Sequence, residues 1–398
     1  MAVKPCRPSL LPKFQSIQPP LFLLAGSLGR VSDNVQFRMG ELFSGPGGLA
    51  RGAELAATEV GIDLAHGWAV DSDPDTCATY RKNIAGASQD SVICADIRGL
   101  DLTSLGRISG LAFGFPCNDF SAVGERLGFD GKFGPLYSYG IKVLELQKPD
   151  WFVAENVSGI RSSNEGSAFV QILREMIASG YVVTPHLYKF ENYGVPQARH
   201  RVVIVGIRSD LNLKYLPPAS EQYKQMDVSA RTALEVPPIP KSASGNQLTN
   251  QSPSVVERLS HIKPGQNAFN ADLPEHLKLN VKGATISQIY RRLDPDKPSY
   301  TVTGSGGGGT HVYHWEQNRA LTNRERARLQ TFPDDFEFEG GVGSVRRQIG
   351  MAVPVQGSRV IFEALFKTFL GLEYETTKPN LEDKLAAAGE MRLEIDIP

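Results

Sequence analysis

Two groups of residues in this sequence have the types and spacing that chemistry needs. The first is Phe43-Ser44-Gly45-Pro46-Gly47-Gly48, which follows a short apolar run and opens a helical pattern. Glycines there let the backbone approach a ligand, and the N-terminus of the next helix offers N–H donors. Alone, the turn reads equally well as structural glycines in a tight strand-to-helix connection. Asp71 ends the next apolar run, where a carboxylate would take the hydroxyls of a ribose. Asp96, in Cys94-Ala95-Asp96-Ile97, ends the third run and is placed to accept from an adenine amino group. Either aspartate alone is a helix cap. Together with the turn, all at carboxyl ends of strands, they favour an adenosine site.

The second group begins at Gly114-Phe115-Pro116-Cys117-Asn118-Asp119-Phe120-Ser121, again after an apolar run. A single cysteine is usually a small buried hydrophobe, but Cys117 follows a proline in a polar, Gly-rich loop, a setting that suits a thiolate nucleophile. Glu155 ends the following run, in Ala154-Glu155-Asn156-Val157, and is expected in the same crevice. A partly desolvated carboxyl group near the thiol would stay protonated and act as an acid. Arg199 and Arg201, in Gln197-Ala198-Arg199-His200-Arg201, carry charge that would anchor a substrate nucleotide and hold a loop.

These residues need a scaffold, and the hydrophobic pattern supplies one. Apolar runs at 37–43, 68–70, 91–95, 111–115, 151–154, 182–187 and 202–207 alternate with helical periodicity at 49–60, 140–146 and 168–178. Strands alternating with helices predict an α/β fold with a doubly wound, mostly parallel sheet. The last two runs, separated by a loop only, predict an antiparallel edge pair. The rhythm stops near Asp210. Residues 211–290 are rich in Pro, Ser, Asn and Gln and too long for an ordinary loop, so they read as a separate irregular domain or insertion. Order returns at Thr322-Asn323-Arg324-Glu325, a capping box that opens a helix to about Phe332. A further helix is expected from Ser358, and the polar chain beyond about Glu373 is expected to fray. Before residue 37 the chain is proline-rich and patternless, which reads as a disordered leader, as a signal peptide or as sequence ahead of a true start at Met39.

Composition narrows the class. The 398 residues carry 42 Lys+Arg against 43 Asp+Glu, 21% are charged and 41% hydrophobic, which excludes a disordered, collagen-like or coiled-coil chain. A net charge of -1 excludes a histone-like protein but not a basic cleft on a neutral one. No apolar run reaches the roughly 18 residues of a membrane-spanning helix. The 4 cysteines are widely spaced, which suits neither a disulfide scaffold nor zinc and predicts a reducing, cytoplasmic setting.

Taken in order, the motifs resemble those of the cytosine-C5 DNA methyltransferases of bacterial restriction–modification systems. The Phe-x-Gly-x-Gly-Gly turn, Pro116-Cys117, Glu155-Asn156-Val157 and the Gln-x-Arg-x-Arg element are followed by Pro298-Ser299-Tyr300-Thr301-Val302-Thr303 and Gln348-Ile349-Gly350-Met351-Ala352-Val353-Pro354. The resemblance covers about residues 39–372. It implies a Rossmann-like methyltransferase domain that uses S-adenosyl-methionine. Phe43 would lie against the adenine, Gly45, Gly47 and Gly48 by the methionine part, and Asp71, Asp96, Ile97 and Pro116 would complete the pocket. It also implies double-stranded DNA as partner, a target cytosine flipped out of the duplex, Cys117 adding to C6, Glu155 holding or protonating N3, and Arg199 and Arg201 in support. A separate restriction endonuclease would act on the same DNA, and the enzyme would be a monomer. The implied organisation is a leader at 1–36, a catalytic domain at 37–210, a target-recognition domain at 211–317, a catalytic return at 318–372 and a tail at 373–398.

Three positions depart from the family pattern. Asn118 stands for the usual Gln, Ser72 for a larger residue, and Met351 for the usual Asn, whose hydrogen bonds Met cannot make. The Gly-rich stretch from Asp119, closed by Gly140, reads as a mobile loop over the flipped base. The second Gly-rich run, 304–309, reads as a hinge or DNA-contacting turn; His311 and His314 beside it lack further metal ligands. Two other readings share this core, an RNA cytosine methyltransferase and an inactive DNA-binding relative. The long irregular segment speaks against the first and the intact Cys117, Glu155, Arg199 and Arg201 against the second. A generic Rossmann oxidoreductase explains neither the Pro-Cys loop nor the Arg-x-Arg strand.

Overall fold

The protein is described from a computed structural model covering residues 35–115, 136–279, 288–306 and 309–395. The seven expected strands form one sheet. The chain runs β1 (Gln36–Leu42), α1 (Gly48–Val60), β2 (Asp63–Asp71), α2 (Pro74–Asn83), β3 (Val92–Cys94), β4 (Gly110–Gly114), α3 (Tyr137–Gln147), β5 (Trp151–Val157), α4 (Ser167–Ala178) and β6 (Tyr181–Lys189). A two-residue β7 (Gln197–Ala198) then leads into β8 (His200–Arg208). The sheet order is β3-β2-β1-β4-β5-β8-β6. Pairing is parallel from β3 to β5, and β8 inserts antiparallel between β5 and β6.

Strand alternation decides which side chains meet which layer. On β8, Val203, Val205 and Ile207 join Phe37, Trp151 and Val153 under α1 and the later helix α9 (Val355–Leu370). Val202 and Ile204 join Leu111, Phe113 and Phe152 on the opposite face, under α3 and α4. Helices therefore cover both faces, as a mostly parallel sheet requires. The stretch Val342–Leu370 is long and apolar enough to cross a membrane, but its apolar window is 78% buried inside the protein.

Beyond β8 the chain forms α5 (Ala230–Glu235), α6 (Pro253–Ser260), β9 (Ser299–Tyr300), α7 (Asn323–Leu329), α8 (Val342–Met351), α9 and α10 (Glu382–Ile395). The capping box at α7 is formed in full: Thr322 accepts from the Glu325 N–H while the Glu325 carboxylate accepts from the Thr322 N–H. One further core joins Ala230, Leu293, Val302 and Trp315 to Leu321, Ala327, Phe332 and Ile349, so residues on both sides of position 318 build it together. A smaller one holds Leu259, Leu277, Tyr290 and Tyr313. Tyr215 and Tyr223, by contrast, pack in the first core, so the segment after Asp210 begins on the sheet and leaves it later.

Three sequence expectations need correcting. Met39 lies in the middle of β1 and is buried with Phe37, so a chain starting at Met39 would lose a core residue and half a strand. Residues 373–398 are not simply a frayed tail. Leu381 and Ala388 of this segment are buried against α4 and β6, and the Asn380 side chain accepts from the Leu187 N–H and donates to the Leu187 carbonyl, at 2.7 and 3.0 Å. Gly140 does not close a loop. It lies within α3, where a β-carbon would strike the Phe113 ring.

Candidate active site

A cavity of about 530 Å³ opens at the carboxyl ends of β1, β2, β4 and β5. Phe43, Ser44, Gly45 and Gly48 form one wall, with Asp71, Asp96 and Ile97 beside them; Gly114, Phe115, Glu155, Arg199 and Arg201 form another. Thr301–Gly304 and Gly350–Val353 close the third side. The two motif groups separated in sequence thus face a single space. Gly47 is the exception among the expected residues that are described. It does not reach the cavity and packs against Ile84 and Tyr80.

The Gly-rich turn is shaped by backbone. Phe43, Gly45 and Gly47 have φ of 54°, 55° and 97°, the left-handed region where glycine is favoured and Phe43 is unusual. The Gly45 N–H donates to Asp71 Oδ2 at 2.9 Å and the Asp73 N–H to Asp71 Oδ1 at 3.0 Å. Asp71 therefore ties the turn to the end of β2, and its burial pushes its pKa up against these donors. Asp96 differs: Arg98 binds its carboxylate, which holds the pKa down to about 2. Gly48 is required by contact rather than by φ, because a side chain there would collide with the Val353 carbonyl.

Glu41, on β1, was not singled out in the sequence, although a lone acid in an apolar strand was visible. It lines the cavity yet is 1% exposed, and Tyr80 Oη donates to it at 3.0 Å. Burial raises its pKa to about 8.

Gly114 and Glu155 are paired across β4 and β5, so the absent side chain of Gly114 leaves room beside the carboxylate. Arg201 faces Val157 across β5 and β8 and reaches diagonally to Glu155, Nε to Oε1 at 2.8 Å, with both side chains little exposed. The acid foreseen for Glu155 is thus, in this protein, one half of an ion pair. Asn156 Nδ2 donates to the Phe115 carbonyl at 3.2 Å, fixing the root of the Pro-Cys loop. Pro116, Cys117, Asn118 and most of the Gly-rich stretch after them lie outside the described residues.

Arg199 is 1% exposed and donates to the carbonyls of Val302, Gly350 and Ala352 at 3.2, 3.1 and 2.9 Å. Its wall of the cavity is therefore made by clamping two distant segments together, rather than by presenting a free charge to a nucleotide. Gln197 acts alongside it, accepting from the Val302 N–H and donating to the Leu329 carbonyl, while β7 pairs with β9. Gly350 lies so close to Thr303 and Gly304 that no side chain fits. Next to it Met351 is 75% exposed on the cavity rim. His314 is buried and stacked on Trp315, with its Nδ1 accepting backbone N–H groups, and no cluster of metal-ligating side chains occurs among the described residues.

Comparison with known proteins identifies the family. The family profile of the C-5 cytosine-specific DNA methylases matches residues 37–367. The chain is 52% identical to the Type II methyltransferase M.BbvI of Brevibacillus brevis over 91% of this chain and 99% of that protein. It is 38% identical to the Type II methyltransferase M.NgoFVII of Neisseria gonorrhoeae, over 88% and 91% respectively. Among solved structures, the Entamoeba histolytica methyltransferase EhMeth superposes with a TM-score of 0.57 at 15% identity, covering 84% of this chain and 99% of that one, a likeness of fold.

Proposed function

Because the chain belongs to the C-5 cytosine-specific DNA methylases, we propose that its cavity joins a methyl donor and a flipped cytosine of double-stranded DNA, as the modification enzyme of a restriction–modification system acting in the cytoplasm. The observation that carries this reading is the single cavity shared by the Gly-rich turn and the Glu155–Arg201 pair.

The donor half suits S-adenosyl-methionine. At about 530 Å³ the cavity has the size of a cofactor site. Asp71 and Asp96 would suit a ribose diol and an adenine amino group, and Phe43, Leu49 and Ile97 offer apolar surface for a base. S-adenosyl-methionine supplies an electrophilic methyl group when bound. Gly45 and Gly48 would let the backbone close on its methionine part, with Pro116 at the edge toward the reacting base.

On the substrate side, cytosine C5 is a poor nucleophile until a thiolate adds to the ring. Cys117 lies two residues beyond Phe115, which lines the cavity. Its sulfur would form a bond to C6, pushing electrons toward C5 and N3. Glu155 would hold N3 and its proton, and Arg201 would orient Glu155. After methyl transfer, loss of the C5 proton returns its electron pair to the ring and expels the Cys117 thiolate. Residues 211–317 would carry the target-recognition surface.

Duplex DNA carrying 5-fluorocytosine at the target cannot lose a C5 proton, so it should trap a covalent protein–DNA adduct. An adduct that persists in Cys117→Ala would sink the nucleophile assignment. Glu155→Gln should retain DNA affinity and lose about 10²–10⁴ in turnover, the usual scale for a positioned acid or base. Undiminished turnover would remove Glu155 from the chemistry.

A further inference from the structure

A second group of charges lies beside Gly306, outside the reaction cavity. Arg326 on α7 is 1% exposed, and its Nη1 has no hydrogen-bond partner among the described residues. The Nε of Arg346 on α8 is likewise buried without a partner among the described residues. His311 lies between them, its Nδ1 3.4 Å from Arg326 Nη2. The adjacent carboxylate, Glu325, is already taken by two Arg319 nitrogens at 2.7 Å each and by the Thr322 N–H. Burial lowers the Arg326 pKa to about 10, with Arg346 adding repulsion, and pushes His311 down to about 4. Two guanidinium groups thus converge on a neutral imidazole with no anion among the described residues to pair them. An unpaired buried charge is expensive, and such an arrangement suits a ligand that supplies the missing acceptor.

The space is small. Arg326, Arg346, His311, Gln247 and Thr249 line a cavity of about 20 Å³, room for about one oxygen atom. That size excludes a whole metabolite but admits one non-bridging oxygen of a phosphodiester whose remainder stays outside. Gly306 packs directly on two of these side chains: a β-carbon there would lie 2.6 Å from Arg346 Nε and 2.7 Å from His311 Cε1, so no side chain fits against them. Position points the same way. Thr303 and Gly304, just before Gly306 in the chain, line the reaction cavity. Arg346 lies on α8 four and five residues, about 6 and 7.5 Å along the axis, before Gly350 and Met351 on its rim.

We infer that Arg326 and Arg346 bind a backbone phosphate of the DNA strand near the flipped nucleotide, setting the position of the strand without reading its sequence. The inference rests on the DNA-methylation reading above. The test measures binding of full-length protein to duplex DNA by fluorescence anisotropy across a salt series, with single phosphates replaced in turn by neutral methylphosphonates. Wild-type protein should lose affinity several-fold at one phosphate in particular. Arg346→Gln should be insensitive at that same phosphate, and its slope of log K against log salt should be shallower by about 0.9, one released counterion. Cognate and unrelated duplexes should weaken alike. Arg326→Gln should behave in the same way; should it fail to fold, Arg346→Gln, a half-exposed site, decides. Identical methylphosphonate profiles and slopes in wild type and Arg346→Gln would overturn the assignment and leave the cavity to a water molecule. Failure of wild-type protein to bind or methylate any duplex would instead overturn the reading on which it rests.

Discussion

Glu41 and Arg199 show how single residues carry opposite electrical costs in this fold. Glu41 is sealed beside the donor half of the cavity with Tyr80 as its hydrogen-bond donor, and its pKa is raised from 4.5 to about 8. A carboxyl group with a folded pKa above its unfolded one holds its proton more tightly when folded. Its contribution to stability is therefore full below about pH 4.5 and is lost as pH rises through about 8. Urea denaturation of the unliganded protein should show stability falling across that window, with the fall flattened in Glu41→Gln. Parallel curves for the two proteins would show that Glu41 does not titrate there. Burial pushes the Arg199 pKa down, and the guanidinium gives three N–H bonds to carbonyls in place of water. Lysine at that position cannot fork across Val302 and the Gly350–Ala352 turn. Arg199→Lys should lose about 3 kcal/mol, the scale for breaking bonds to a buried charge. A change within about 0.5 kcal/mol would mean that the clamp is dispensable.

At the scale of elements, α2 and α10 were hidden for different reasons. α2 had a sequence signal in Asp73-Pro74: the aspartate accepts from the Thr76 N–H, and proline occupies the first turn. Hydrophobic periodicity missed it because the helix is short and largely polar. α10 has only a weak apolar stripe, and its place is set by α4 and the exposed edge of β6, neither of which is near it in sequence. Asn380 satisfies both backbone groups of Leu187 on that edge. Removal of residues 380–398 should expose the edge and the apolar surface under Leu381 and Ala388, lowering the thermal midpoint by several degrees. An unchanged midpoint would show that α10 is an ornament of the fold. Asn380→Ala should cost about 1 kcal/mol.

Across the whole molecule, the reaction cavity lies where two bodies of packing meet. The sheet and its helices supply the Gly-rich turn and the Glu155–Arg201 pair. The later core, built by residues on both sides of position 318, supplies Thr301–Gly304. If this segment carries target recognition as proposed, its place in the core has consequences for exchange. Replacing residues 230–317 by the corresponding segment of the Neisseria relative should transfer its DNA target, while Leu293, Val302 and Trp315 must be kept or replaced in kind for the core to close. A soluble, active chimera that methylates the original sequence would place specificity elsewhere. Each lost base contact should cost about 1–3 kcal/mol and relax one position, whereas lost phosphate contacts should weaken all sequences alike.

The sequence alone determined the seven strands, their mostly parallel pairing and the order of the motifs, because strand alternation, apolar runs and glycine turns are local signals. It also marked Asp71, Asp96, Glu155, Arg199 and Arg201 as residues that belong to one site. What it could not determine was how they are shared out. Arg199 and Arg201 lie two residues apart, yet one clamps Val302 to Gly350 and Ala352 while the other binds Glu155. Glu41 looked like one more strand residue until Tyr80 and burial gave it an unusual proton. Arg326 and Arg346, 20 positions apart, come together only because α7 and α8 pack on one core. These roles depend on desolvation and on partners distant in sequence, and both exist only once the chain has closed on itself.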